Sequence, residues 1–295
     1  MKHLKQFATQ AAYNAAKESL IAPNVSYIVD GTKVEYNKEE PTPPVPPTPT
    51  VETRVVTKFN VTGTTYPTKI MGYDSEALFS AIEIDGITQG TVVGEYAFST
   101  TGEHTVKYTL VDSTAIGDNA FENCLELASV TIPSGVTSIG GSAFNDCENL
   151  TSVTIPNGVT SIGDYAFQDC WDCTTIVLPN TVTSIGLYAF NGCQSLTSIN
   201  IPSGVTSIGD KTFYQCISFT SIEIPSGVTS IGEEAFYMCS NLQSMTFNST
   251  IPPTLYEYDL DETNDCPIYV PLGSVNAYQS ATNWSEYANR IQAIP

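Results

Sequence analysis

Between residues 113 and 250 the hydrophobic positions recur with one fixed period. The pattern Ile-Gly-x-x-Ala-Phe appears as IGDNAF (116–121), IGGSAF (139–144), IGDYAF (162–167), IGLYAF (185–190), IGDKTF (208–213) and IGEEAF (231–236), each start 23 residues after the last. A degenerate copy, VGEYAF, lies one period upstream at 93–98. Within each unit a shorter pattern predicts local structure. In LTSVTIP (150–156) Leu150, Ser152 and Thr154 alternate with Thr151, Val153 and Ile155, which is the period of a strand. Pro156 has no backbone donor and suits a corner. GVTSIG (158–163) reads as a second short extended piece, and Gly163 is expected to turn the chain with a positive φ. DYAFQDC (164–170) puts Ala166, Phe167 and Cys170 at helix-like spacing, with Asp164 as the expected N-cap.

One such unit cannot cover its own apolar edge. Stacked units form continuous columns, and stability becomes a sum over units and their neighbours. A period of 23 residues lies in the range of leucine-rich repeats. Thr137, Thr160, Thr183, Thr206 and Thr229 form a polar column expected to face solvent.

The period also decides how the cysteines are read. Three residues after each of the six phenylalanines stands Cys124, Cys147, Cys170, Cys193, Cys216 or Cys239. Three residues further the unit calls for a bulky apolar residue: Leu127, Leu150, Leu196, Phe219 and Leu242. Cys173 fills that place in the third unit, which creates the sequence Cys170-Trp171-Asp172-Cys173. A redox dithiol needs a thioredoxin-like βαβ context, and a structural zinc needs about four ligands. The chain offers two histidines, His3 and His104, and one cysteine outside the units, Cys266. The Cys-x-x-C is therefore a leucine-to-cysteine variation beside a column of buried thiols. Equivalent atoms in neighbouring coils stand about 4.8 Å apart, too far for a bridge between sulfurs at about 2 Å.

Outside the repeats the pattern changes. Residues 1–38 carry a helix signal after Thr9, with Phe7, Ala11, Ala12, Ala15, Ala16 and Leu20, then a hairpin signal, VSYIVDGTKVEYN (25–37), centred on Asp30-Gly31. Residues 39–50 are a spacer; six of the ten residues from 41 to 50 are proline. Residues 51–112 read as a β-rich cap on the first coil, and 251–295 end the stack with a strand in PIYVPL and a helix after Ser274.

Charge narrows the partners. The chain has 31 acidic and 11 basic residues, a net charge of −20. It repels nucleic acid and anionic membrane surfaces. No apolar run reaches the roughly 18 residues of a transmembrane helix. The first twenty residues have no apolar segment of the kind a secretory signal carries.

The motif LTSVTIPxxVTSIGxxAFxxC resembles the BspA-like, or treponemal-type, leucine-rich repeat family over about 93–250. The resemblance implies a mainly β fold. That fold is a leucine-rich-repeat β-solenoid of 23-residue coils, with a small β-rich N-terminal cap domain and a short N-terminal helix-hairpin anchor. It implies non-catalytic adhesion or protein binding, with no catalytic residues and no cofactor. Thr181, where other units have glycine, and Cys173 mark a unit expected to adjust locally.

The residues agree with a non-enzymatic reading. No Gly-x-x-x-x-Gly-Lys-Ser/Thr is present, and both histidines lie outside the repeats. Asp259, Asp261 and Asp265 in YEYDLDETND form an acidic run that lacks the glycine and glutamate spacing of a calcium loop, so a solvated loop and no metal is expected. Variable positions of the repeats carry Tyr165, Trp171, Tyr188, Tyr214, Ile217 and Tyr237, side chains suited to recognising protein or sugar surfaces. The expected arrangement is a virion-associated or bacterial-surface fibre or decoration. Residues 1–38 join a virion or another surface assembly, or self-associate as a homo-oligomer, and the repeats meet a host-surface protein or glycan. The opening FATQAAYNAAKES…APNVSYIVDGTKVEYN looks like short segments on virion proteins of gut phages.

Overall fold

The computed structural model describes residues 5–7, 26–29, 32–35, 53–256 and 259–295. The chain divides into two compact units, Met1–Thr50 and Val51–Pro295. In the first, β2 (Ser26–Val29) and β3 (Thr32–Glu35) form an antiparallel hairpin around the two residues Asp30 and Gly31. A further strand, β1 (Lys5–Phe7), pairs parallel with β2, so Phe7 stands opposite Val29 and in no helix. The expected helix after Thr9 and the spacer at 39–50 lie outside the described residues.

The second unit starts with the long strand β4 (Arg54–Val61). It lies between β5 (Gly102–Leu110) and Leu127–Thr131, the first long strand of the coils. Its inward residues Val55, Thr57, Phe59 and Val61 are buried and alternate with the more exposed Arg54, Val56, Lys58 and Asn60. This antiparallel seam carries the solenoid sheet into the cap. Beyond β5 come Phe79–Ile84 and Ile87–Thr88, joined by a tight turn with Asp85 and Gly86 both at positive φ. The VGEYAF copy at 93–98 takes its own course. Glu95–Tyr96 pairs antiparallel with Thr68–Lys69, and Phe98 stacks on His104 at 4.2 Å. The place against Phe121 is taken by Phe79 and Tyr108.

The coils follow from the repeat. Each contributes a long-face segment beginning near its Leu column, and most contribute a two-residue Ser-Ile strand on the other face; from the first to the fourth short-face strand and the first to the third long-face strand the pairing is parallel at 23-residue register. The columns headed by Ile116, Phe121, Cys124, Leu127 and Val136 are buried throughout. The phenylalanines form one stack. Successive ring centroids from Phe121 through Phe144, Phe167, Phe190 and Phe213 to Phe236 are 5.2–5.7 Å apart, with planes within 14°. The threonine column is exposed, and its members do more than face water. Thr137, Thr160, Thr183 and Thr229 each send both amide and hydroxyl to the threonine carbonyl one coil back.

Two local expectations are corrected. Residues 164–170 form successive turns and not a helix. Asp164 does not cap its own segment; its Oδ1 accepts the Leu187 amide of the next coil at 2.8 Å. Gly163 does not have a positive φ. It is glycine because a Cβ there would stand 2.6 Å from the Gly140 carbonyl carbon and the Gly141 nitrogen.

The parallel ladders are interrupted once. The cap sheet ends at Thr175–Val177, and the next four-stranded sheet starts at Ser221–Ile224. The short-face ladder ends at Ser184–Ile185 and resumes at Ser207–Ile208. At this step Leu187 stands where Asp118, Asp164 and Asp210 stand in other coils. Its side chain lies over Gly209 and accepts no amide. The Thr181 hydroxyl, in the same unit, is satisfied locally by donating to the Val159 carbonyl at 2.7 Å.

The C-terminal end is closed by a buried aromatic group. Tyr278, on helix α1 (Val275–Ser280), and Trp284 pack on Phe247. The Trp284 indole donates to the Pro253 carbonyl, and Arg290 donates to the carbonyls of Cys266 and Leu260. Asp259 is not solvated. It is buried, its carboxylate accepts the Glu234 and Tyr256 amides, and burial raises its pKa to about 7. Asp261 accepts the Tyr287 hydroxyl.

Phe167 has a ring on each side, so Phe167→Ala should cost about 3–5 kcal/mol in chemical unfolding. A loss below about 1 kcal/mol would contradict a filled column. A second expectation concerns pH. His104 donates Nδ1 to Asp85 at 2.7 Å and Nε2 to the Thr100 carbonyl at 2.9 Å, a geometry suited to the imidazolium. Burial opposes the charge, but these acceptors outweigh it and raise the pKa above 6.5. The resulting stability is fully present below pH 6.5 and is lost as pH rises through the raised value. The melting temperature of His104→Gln should therefore vary less between pH 6 and pH 8 than the parent's. Equal variation would rule out the pair as a contributor.

Candidate binding surface on the turn side of the coils

The turn after each Ile-Gly is built by two residues in the left-handed region, four positions apart. The first series is Asn119, Ser142, Tyr165, Tyr188, Lys211 and Glu234, with φ between 51° and 59°. The second is Asn123, Asp146, Asp169, Gly192, Gln215 and Met238, with φ between 53° and 70°. This backbone points alternate amides along the solenoid. Tyr165, Phe167 and Asp169 donate to the carbonyls of Leu187, Ala189 and Asn191 at 2.8 Å. The same three bonds recur from Tyr188, Phe190 and Gly192 to Asp210, Thr212 and Tyr214 at 2.8–3.0 Å. The turn side therefore remains joined where the strand ladders are interrupted.

The cysteines tie this side to the core. The thiols of Cys147, Cys170, Cys193, Cys216 and Cys239 each donate to a phenylalanine carbonyl 26 residues back, with Sγ to O distances of 3.1–3.2 Å. Burial pushes the thiols of Cys147, Cys170, Cys193 and Cys216 far above their usual pKa. Cys173 is also buried, in the leucine column, and burial moves it up to about 11. Its Sγ approaches the Thr175 carbonyl, while Cys170 donates to Phe144. These thiols are protonated packing groups with little nucleophilic character.

Four of the six variable residues are brought together. Tyr165 and Tyr188 stack at 4.8 Å and 22°. Tyr214 and Tyr237, one column over, stack at 5.5 Å and 16°. Lys211 joins the pairs; its Nζ lies 5.6 Å from the Tyr188 ring and 5.7 Å from the Tyr214 ring, and it reaches Glu234 at 3.4 Å. Desolvation lowers the Lys211 pKa, but the Glu234 carboxylate and the Tyr188 phenol oxygen outweigh it and raise it, so the ammonium stays charged. Trp171 and Ile217 are not part of this strip. They belong to a separate column with Leu125, beyond the second left-handed residue. The Trp171 indole donates to Asp169 at 3.2 Å and leaves the ring 42% exposed.

Lys211 was not among the residues singled out from the sequence. A signal was available: it is the only lysine or arginine between Lys107 and Arg290. The left-handed turn also changes the meaning of Tyr165 and Tyr188. That conformation favours glycine or asparagine and costs another residue on the order of 1 kcal/mol. Asn119 and Gly192 fit the demand, whereas two tyrosines do not.

Comparison with known proteins bears on the repeats. The profile of the BspA type leucine rich repeat region matches residues 73–175 and 160–264, with six copies. No curated protein matches the chain. Among solved structures it is similar to a leucine rich repeat protein of T. pallidum, at 26% identity and a TM-score of 0.43, covering 48% of this chain and 68% of that one. It is also similar to a leucine rich cell surface protein of Faecalibacterium prausnitzii, at 23% identity and a TM-score of 0.40, covering 61% of each chain. A third similarity is to the pneumococcal vaccine antigen PcpA, at 16% identity and a TM-score of 0.35, covering 57% of this chain and 42% of that one. Among the described residues no helix is long and apolar enough to cross a membrane.

Proposed function

Since this chain belongs to the BspA type leucine rich repeat family, we propose that it is a non-enzymatic adhesion protein displayed on a bacterial cell surface. It contacts a protein or glycan through the tyrosine strip of its coils. The observation that carries this reading is the strip itself: two stacked tyrosine pairs joined by the only cation of the repeats. Rigid aromatic side chains on a fixed backbone lose little entropy on contact, and aromatic residues are enriched at binding hot spots. Tyr165 and Tyr188 hold backbone positions that their own conformational preference opposes. The groups that elsewhere perform chemistry serve the fold in this chain. The thiols are buried and protonated, His104 is held between Asp85 and Thr100, and Asp259 caps the last coil.

Residues 1–38 are the attachment module in this proposal, with a second copy or another surface protein as partner. Residues 39–50 are a spacer that reaches about 37 Å at roughly 3.1 Å per residue if stretched as polyproline II. A virion fibre or decoration would use the same parts in another setting. That setting rests on the likeness of the opening residues to phage virion segments, and family membership favours the cell surface.

The test is an array of extracellular-matrix proteins and glycans probed with the purified chain. Tyr165→Ser, Tyr188→Ser and Tyr214→Ser combined should remove most of the signal, with the melting temperature lowered by no more than a few degrees. A chain lacking 1–38 should bind the array as the parent does. An unchanged signal from the triple variant would reduce the coils to a spacer.

A further inference from the structure

A groove of about 630 Å³ lies where the cap meets the first coil, separate from the tyrosine strip. One wall is the loop through Tyr66 and the short strand Thr68–Lys69. The other is the turn with Asn123 and Leu125. Three features of its lining do not serve the fold. Tyr66 is 81% exposed and Tyr73 69%, so two largely exposed aromatic rings border the groove. Leu125 is exposed beside them and heads the column that carries Trp171 and Ile217.

The third feature is the Lys69 ammonium. Its Nζ is buried and has no hydrogen-bond partner among the described residues. Its contact is the Tyr73 ring, 3.5 Å from Nζ to the centroid. A buried ammonium has three donors to satisfy, and a π face does not replace an anionic acceptor. Among the described residues it forms no hydrogen bond with the Glu126 carboxylate, which also lines the groove. Glu126 already accepts from the Thr62 amide, the Thr62 hydroxyl and the Thr68 hydroxyl at 2.7–3.2 Å. Those bonds also fix the groove wall before any ligand arrives. Tyr73 is mostly exposed, so its side chain can lift from Lys69 and uncover the ammonium.

We propose that this groove binds an acidic sugar residue, whose carboxylate pairs with Lys69 and whose ring lies against Tyr66 and Tyr73. The ammonium selects the carboxylate by a charge-assisted hydrogen bond. The two rings supply a flat apolar platform. Glu95 and Asn123, on opposite walls, offer acceptors to ring hydroxyls. In a chain of net charge −20 an anionic ligand needs such a local cation, and Lys69 is the one this groove provides.

The experiment is calorimetric and saturation-transfer titration of the full chain with glucuronic acid and with glucose. Glucuronic acid should bind saturably, about tenfold or more tighter than glucose. Lys69→Met should remove that preference, Lys69→Arg should keep it, and Tyr66→Ala should weaken both sugars. The tyrosine-strip triple variant should bind glucuronic acid as the parent does, which separates this site from the adhesion reading. No saturable binding of glucuronic acid would overturn the proposal. So would a preference that survives Lys69→Met, or tighter binding of a glutamate-bearing tripeptide than of the sugar acid.

Discussion

The whole stack depends on a backbone contact that leaves no room for a side chain. At Gly140, Gly163, Gly186 and Gly232 a Cβ would stand 2.4–2.6 Å from an atom of the preceding coil. With glycine there, each coil settles far enough onto the last for the isoleucine amide-to-carbonyl ladders to form. The same approach sets the phenylalanine rings 5.2–5.7 Å apart. It also brings each thiol to the phenylalanine carbonyl of the coil behind it. Core, ladders and thiol bonds all depend on this one close approach.

Two sides of the coil respond differently to variation. The strand faces depend on a match between neighbours, and they part at the coil that carries Leu187. The turn side draws its bonds from backbone held in the left-handed region, whichever side chain is attached, and it runs on without a break. Variable residues can therefore be carried on the turns without loss of the stack. Tyrosines at two turn columns become stacked neighbours because each column repeats at a fixed height. Recognition in this proposal follows from the turn conformation, and the groove at the cap follows from where the first turn meets a non-repeating loop.

Much of this was legible in the sequence, for a physical reason. A strict period makes the surroundings of each residue known from its equivalents, so the burial of Phe167, Cys170 and Cys173 and the exposure of Thr160 can be read directly. The stacking of Tyr165 on Tyr188 follows from the same register. What was not legible depends on contacts between different columns. Ala166, Phe167 and Cys170 have helical spacing, yet the left-handed residues at 165 and 169 bend the segment into turns. The positive φ expected of Gly163 was instead a close approach, which only the neighbouring coil reveals. Lys211 links two columns, and Lys69 meets Tyr73 across a loop with no repeat to align it. Asp259, read as part of a solvated run, closes the last coil because the amide of Glu234 would otherwise lack an acceptor.

The claim that the turn side is the continuous backbone of the stack is tested most directly by amide hydrogen exchange. Phe190 and Gly192 donate across coils to Thr212 and Tyr214, whereas the Thr206 amide lacks the bond to the coil behind that Thr183 and Thr229 have. Exchange at Phe190 and Gly192 should be as slow as at Phe144 and Phe167, and exchange at Thr206 faster than at Thr183 and Thr229. Phe190 and Gly192 exchanging as fast as Thr206 would show that the coils part on every side at this step, and would contradict the account.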